Sequence, residues 1–356
     1  MAYLNLNRIK LQENFQFLKE RFQEQNVSWG VVSKLFCGNR KFLKELIDLG
    51  VDEIHDSRIS NLAKIKELNP DIQTVYIKPV SKRNISKMVK YADVSLNSEL
   101  TTIRWISKEA QRQGKVHKII IMVETGDLRE GVMGDHLVDF YAQIFELPSI
   151  EVIGLGTNLN CLNGVMPSTD KLIQLSLYKQ IIELKFNKQI PWVSAGTSVT
   201  IPLLLNKQIP KGVNHFRVGE TLYFGVDLFE EKIIDGMHGD VFELYAEIIE
   251  MQEKPMVPTG IIAANPQGET VKIDESLFGK TSYRAILDIG LLDVDPKYLI
   301  PEDGEFEILG ASSDMLILNL GENPKNYQVG DTVKFGLKYM GALGILNSSY
   351  VDKLVK

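Results

Sequence analysis

Two phrases carry the side chains best suited to covalent and electrostatic chemistry. In the first, Lys34 directly follows the apolar run WGVVS, so it closes a strand-like segment. An amine partly desolvated there has its pKa lowered and acts as nucleophile or base; the plain alternative is a strand-end lysine pointing into solvent. In the second, VETGDLREGV sets Arg129 a short turn beyond the run KIIIMVE. A guanidinium in that place either holds an anionic or phenolate oxygen or closes a surface ion pair. GLGTNLNC brings Thr157 and Asn158 to another strand end, as polar ligands or as turn formers. SAGTSVT (194–200), with the hydroxyls of Thr197 and Ser198, and RVGET (217–221) are two small-residue turns able to offer N–H groups and hydroxyls to a phosphate.

These phrases fall at regular places in an alternating chain. Leu11, Phe15, Leu18 and Phe22 recur at helical spacing, so the chain from residue 7 reads as a helix. Helix-like stretches beginning near Arg40, Ser60, Asn84, Ser98, Asp135 and Thr169 then separate SWGVVS, VDEIH, TVYIK, ADVSL, KIIIMVE, EVIGLGT, PWVS and NHFRVG. Eight strands mostly separated by helices over about 220 residues predict an α/β (β/α)8 TIM barrel, in which chemistry sits at the C-terminal ends of the strands. The two phosphate-type turns follow the seventh and eighth strands, the usual place for a phosphate in such a barrel. Past residue 230 the texture becomes β-rich and punctuated by Gly, Pro, Asn and Asp (LYAEIIEMQE, TVKID, YRAILDIG, EFEILGASSDMLILNL, DTVKFGLK), with no convincing amphipathic helix. The expected division is therefore a barrel over 1–230 and a mainly β domain over 231–356.

Composition narrows the partners. Forty Lys+Arg against 46 Asp+Glu gives a net charge of −6, which removes the electrostatic reason to expect nucleic acid. There is no apolar run near the length of a membrane span and no readable signal peptide, so the chain reads as cytoplasmic. Two cysteines and five histidines without HxxxH or CxxC spacing give no sequence signature of a metal site.

Taken in order, these phrases resemble the alanine racemase family of pyridoxal 5'-phosphate enzymes, and most closely its ornithine racemase-like branch. The likeness runs from about Leu4 to Tyr350 and rests on whole phrases: EIHDSRISNL, YADVSLNSEL, DLREGV, GTNLNC and ILGASSD. VVSKLFCGN resembles the segment of the lysine that holds the cofactor, which gives Lys34 that role. ETGDLREGV implies that Arg129 contacts the cofactor's phenolic oxygen and the substrate. Asn158 stands where the family usually has a histidine against the pyridine ring. SAGTS implies phosphate contacts from Ser198 and Thr197. FRVGETLYFG implies that Arg217 faces the pyridine nitrogen and that Gly219 and Glu220 offer backbone N–H groups to the phosphate. GASSDM resembles the substrate-side segment, giving Ser313 and Asp314.

The chain departs from the family at the second catalytic base. A tyrosine is usual there, but the matching stretch IGLLDVDP has Leu291, which cannot move a proton. If LLDVD is extended, Asp293 and Asp295 point the same way as Leu291 and become candidate catalytic acids; the alternative is a turn whose aspartates cap backbone N–H groups. Tyr298 and Tyr339 are further candidates. Gly38 replaces the phosphate-binding tyrosine expected after the lysine, and Tyr350 is the candidate substitute. The resemblance implies an amino acid racemase acting on ornithine or another basic or small amino acid, as a head-to-tail homodimer. A non-inverting lyase-type enzyme and a regulatory cofactor-binding protein of the same fold are the competing classes.

Overall fold

The computed structural model describes residues 2–264, 268, 270, 272–302 and 306–356. Strand β1 (Tyr3–Leu6) leads to helix α1 (Arg8–Glu24), which Asn7 caps by accepting from the Lys10 N–H. The expected apolar stripe is real: Leu11, Phe15, Leu18 and Phe22 are its buried face, together with Asn14. Eight parallel strands then follow: β2 (Ser28–Val32), β3 (Glu53–Asp56), β4 (Gln73–Tyr76), β5 (Val94–Asn97), β6 (His117–Met122), β7 (Ile150–Gly156), β8 (Trp192–Thr197) and β9 (His215–Val218). They pair in sequence order and close through β9 against β2, which completes the barrel. Each is followed by a helix: α2 (Arg40–Asp48), α3 (Ile59–Leu68), α4 (Ile85–Tyr91), α5 (Leu100–Arg112), α6 (Leu137–Phe145), α7 (Thr169–Phe186), α8 (Ile201–Leu205) and α9 (Glu220–Phe224). Val75, Val94, Leu96, Ile120, Met122 and Ile153, from neighbouring barrel strands, form one buried apolar cluster.

Strands β10 (Val226–Asp227) and β11 (Lys232–Ile233) make a small antiparallel pair that stays with the barrel. The second unit is a sheet ordered β14-β17-β12-β13-β16-β15, built from β12 (Phe242–Pro255), β13 (Thr281–Leu287), β14 (Leu299–Pro301), β15 (Glu307–Ala311), β16 (Leu316–Asn319) and β17 (Thr332–Leu337). Helix α10 (Tyr339–Asn347) and strand β18 (Asp352–Val355) complete it.

The observed units divide the chain differently from the expected 230/231 boundary. They are Asn7–Val241 and, as the other, Met1–Leu6 with Phe242–Lys356. Strand pairing is the reason: β1 lies antiparallel to the start of β12 and parallel to β18, and Leu4 and Leu6 are fully buried. Among the described residues this unit contains one α-helix, α10, whose YMGALGILN is apolar with two glycines and lacks the polar stripe that marks an amphipathic helix, so it left no amphipathic pattern in the sequence. TVKID is not a strand where it is described, since Asp274 caps a short turn at Glu275–Leu277; Val271 lies outside the described residues. Among the described residues no helix is long and apolar enough to cross a membrane.

Candidate active site

At the end of β2 the backbone is clamped immediately before the lysine. Ser33 donates its N–H to the His55 carbonyl at 2.9 Å and its hydroxyl to Asp56 Oδ2 at 2.8 Å. The buried Asp56 carboxyl also accepts from the Arg58 N–H (2.8 Å) and Asn61 Nδ2 (3.1 Å). Burial pushes its pKa up against these bonds. Lys34 opens a single turn, Lys34–Phe36, that Cys37 ends in the left-handed region at φ 50°. The Lys34 side chain is exposed, so the expected partial desolvation is not found; its amine makes no hydrogen bond among the described residues. Its charge acts on Glu220 at the start of α9, opposing the burial that raises that carboxyl's pKa. Tyr223 of the same helix ties it to β2 by donating to the Val32 carbonyl at 2.9 Å.

Arg217 is the most constrained group of the site. Phe216 packs edge-on against Phe22 of α1, so it points outward, and alternation turns His215 and Arg217 into the barrel interior. Arg217 Nη1 donates to the Ser194 carbonyl (2.7 Å) and hydroxyl (2.5 Å), and Nη2 donates to the Thr157 carbonyl (2.7 Å) and Asn158 Oδ1 (2.6 Å). Four of the five guanidinium N–H groups are thus taken, and Nε–H is left without a hydrogen bond among the described residues. Burial pushes its pKa down to about 10, which leaves it charged at neutral pH. Asn158 Nδ2 donates to Glu130, whose carboxylate also receives Arg129, with Nη2 at 2.7 Å from Oε1. Arg129 is exposed and held by its sequence neighbour, and this pairing raises its pKa further.

The loop after β7 is fastened by a residue that the sequence reading passed over. Buried Asp127 accepts from the N–H groups of Cys161 (3.0 Å), Leu162 (2.9 Å), Asn163 (3.1 Å) and Val165 (3.3 Å). These bonds hold its carboxyl below the usual range although burial opposes them. Asp127 lies inside GDLRE beside Arg129; a carboxylate in a Gly-rich turn was the available signal.

The two expected phosphate turns are joined to each other. Ser198 Oγ accepts from the Gly219 and Thr221 N–H groups, each at 3.2 Å, and Thr221 Oγ1 donates to the Ser198 carbonyl at 3.4 Å. The Gly219 N–H is therefore committed to Ser198 and not turned towards a ligand, which corrects the expectation for that group. A Cβ on Gly219 would meet Val32 at 3.1–3.2 Å, a close approach between β9 and β2 that favours glycine. Thr197 is half-buried, with its N–H given to Thr200 Oγ1 at 3.3 Å.

The remaining expected residues belong to the other unit. LLDVD is not extended: the Asp293 and Val294 N–H groups both return to the Gly290 carbonyl, at 2.9 and 3.0 Å, in a tight turn. Buried Asp293 accepts from the Ser348 hydroxyl at 2.5 Å and the Gly290 N–H at 3.3 Å. Asp295 caps the next turn through the Lys297 N–H at 3.1 Å and pairs with the Lys297 amine, which lowers its pKa. An acid for neutral pH needs a raised value, so the shift of Asp295 runs opposite to the expected role. Asp293 and Asp295 are turn caps here. Ser313 and Asp314 are exposed in the β15–β16 loop, which bonds the Leu291 turn through its carbonyls (Leu291 N–H to Ser312, Leu292 N–H to Ser313). Gly290 makes this pairing possible, since a Cβ there would lie 2.4 Å from the Asp314 backbone. Tyr350 is 69% exposed, with its N–H donated to Ser348 Oγ.

A family model described as the alanine racemase N-terminal domain matches residues 6–227. The chain belongs to the alanine racemase family. Ornithine racemase of Acetoanaerobium sticklandii is 38% identical over 345 residues, covering 97% of this chain and 96% of that protein. Lysine racemase of Thermotoga maritima is 29% identical over 351 residues, covering 99% and 97%. Among solved structures, alanine racemase from Bartonella henselae with covalently bound pyridoxal phosphate has a TM-score of 0.74 at 17% identity, covering 100% of this chain and 99% of that one. Alanine racemase of Clostridium difficile 630 gives 0.73 at 14% identity, covering 100% and 95%. These structures share the fold. The expected family and the racemase class both stand.

The donor set of this family member fits the cofactor named in the Bartonella structure. Lys34 presents a primary amine without a hydrogen bond among the described residues, and Arg217 is locked with only Nε–H to spare. An aldehyde that needs an amine and a heterocycle that needs a donor at its ring nitrogen match these two groups.

Proposed function

We propose that this racemase uses pyridoxal 5'-phosphate to interconvert the L and D forms of a basic amino acid, ornithine before lysine. The observation that carries the reading is the unpartnered Lys34 amine at the end of a barrel strand, in one barrel with Arg217. Full-length similarity to an ornithine racemase and a lysine racemase supports the substrate class. The reading takes the enzyme as a homodimer, with Thr197, Ser198 and the Glu220 N–H holding the phosphate.

When bound, the cofactor supplies an aldehyde that condenses with amines and a ring that spreads the electron pair left at the alpha carbon. Lys34 would be its covalent holder, and its Nζ, when free, would move the alpha proton on one face of the substrate carbon; inversion takes a second proton donor on the opposite face. Arg217 stays charged near pH 7, so it donates to an acceptor placed at Nε and gives up no proton to it. Glu130 holds the Arg129 guanidinium at the turn after β6. Asn158 links that pair to Arg217, so the three side chains are oriented together.

The test uses the cofactor-loaded protein with L-ornithine, followed by chiral analysis and alpha-proton exchange in D2O. Both enantiomers should accumulate, and Lys34→Ala should abolish inversion, the visible band of the bound cofactor and borohydride-reducible attachment. A reducible adduct retained at another lysine sinks the assignment; exchange without inversion places the enzyme in the non-inverting class.

A further inference from the structure

Behind Arg217 lies a buried polar cluster that the reaction above does not use. Glu53 Oε1 is 2.5 Å from His55 Nε2 and 2.8 Å from His215 Nε2, and Glu53 Oε2 accepts from Gln73 Nε2 at 2.5 Å. Both histidines are fully buried. His215 Nδ1 is 2.7 Å from Ser194 Oγ, the hydroxyl that also receives Arg217 Nη1. Trp192 stacks on the His215 ring at 4.1 Å and 8°, which fixes its plane. Side chains of β3 and β9 meet across the intervening β2 because Gly30 stands between them: a Cβ there would lie 2.4 Å from His55 Nε2 and 2.5 Å from Glu53 Oε1.

The proton positions follow from the donor inventory. Arginine only donates, so Ser194 Oγ accepts from Arg217 and has a single hydrogen to give. The Glu53 carboxylate only accepts, so the His215 ring proton belongs on Nε2, aimed at Oε1, and in that tautomer Nδ1 takes the Ser194 hydrogen. His55 donates to the same Glu53 oxygen from its own Nε2. We propose that Ser194, His215 and Glu53 are a one-way hydrogen-bond relay that fixes the orientation of Arg217, and are positioning residues for the barrel-mouth site. The proposal rests on Arg217 facing the cofactor, as read above. A metal ion is the other use of two histidines and a carboxylate whose ligating atoms lie within 4.8 Å of one another. The two N···O separations, 2.5 and 2.8 Å, are those of hydrogen bonds. Ligands on a tetrahedral zinc stand roughly 3.3 Å apart.

The relay is tested in the cofactor-loaded enzyme with Ser194→Ala, Glu53→Gln and the double variant, using L-ornithine. Each single variant should lower kcat by about 10- to 100-fold, as a slightly misplaced group does. KM should stay within about twofold, and the visible band of the bound cofactor should shift. The double variant should be no worse than Ser194→Ala, because the effect of Glu53 passes through Ser194. Glu53→Gln leaving kcat and the band unchanged, effects that multiply in the double variant, or stoichiometric zinc released by Glu53→Gln would each overturn the relay. A wild type with neither a cofactor band nor racemisation refutes the proposed function instead. The relay is then judged on the cofactor-free wild type by nitrogen-15 NMR, which also serves where a variant does not fold. His215 should carry its proton on Nε2 alone, and a proton on Nδ1 overturns the proposal.

Discussion

Gly30→Ala adds one methyl group at a crowded point of the barrel interior. Its carbon would sit 2.4 Å from His55 Nε2 and 2.5 Å from Glu53 Oε1, so both side chains must retreat by about 1 Å to reach ordinary contact. Neither has room: His55 is fully buried and Glu53 is 9% exposed, bound to two histidines and Gln73. Overpacking of this kind costs about 1–3 kcal/mol, and a buried acceptor that loses its donors costs about 1–3 kcal/mol more. The expected loss is therefore about 2–6 kcal/mol, or roughly 4–24 °C in Tm for a unit of this size. Urea unfolding followed by tryptophan fluorescence is the appropriate assay. All three tryptophans, Trp29, Trp105 and Trp192, lie in the barrel unit, so the signal excludes the other unit. A loss below about 1 kcal/mol would show that the cluster yields freely, and the packing argument would be wrong.

The barrel should also weaken in acid through His117, whose pKa burial pushes down to about 4. The unfolded chain takes up this proton near pH 6.5 and the folded chain resists until about 4, so lowering the pH favours unfolding. Across that window the loss is about 3 kcal/mol, and His117→Gln should flatten the slope of urea stability against pH there. An unchanged slope would refute the assignment. Asp127→Asn should accelerate amide hydrogen exchange at Cys161, Leu162, Asn163 and Val165 while leaving the β6 amides protected; equal protection would show that the carboxylate is not what holds the loop.

The barrel strands were legible because each is a short apolar run interrupted by polar or glycine residues, and alternation with helices leaves few other architectures. β1 was not, since YLNL reads as a polar start until its partners more than two hundred residues away bury Leu4 and Leu6. LLDVD alternates like a strand, yet the carbonyl of Gly290 captures two amides and turns it, a tertiary outcome that periodicity does not encode. At the candidate site, Lys34, Arg129, Asn158, Ser198 and Arg217 were singled out from their phrases. Their hydrogen-bond commitments, such as that of the Gly219 N–H, were not. The Glu53, His55 and His215 cluster escaped because spacing rules look for ligands within one segment, whereas His215 lies 162 residues from Glu53. The visible signal was Glu53 and His55 two apart on one strand, hence on one face.

The pairing of β1 with β12 and β18 sets a timetable for synthesis. Leu4 and Leu6 emerge from the ribosome well before the strands that cover them, since their antiparallel partner starts at Phe242 and their parallel partner at Asp352. At about 5–20 residues per second, roughly 12 to 50 s pass between them, long enough for the barrel residues to collapse. A strand with two leucines and unpaired edges therefore waits until those partners are made. Any slowing of ribosomes within the barrel's coding region lengthens the interval in which that strand can find the wrong partner.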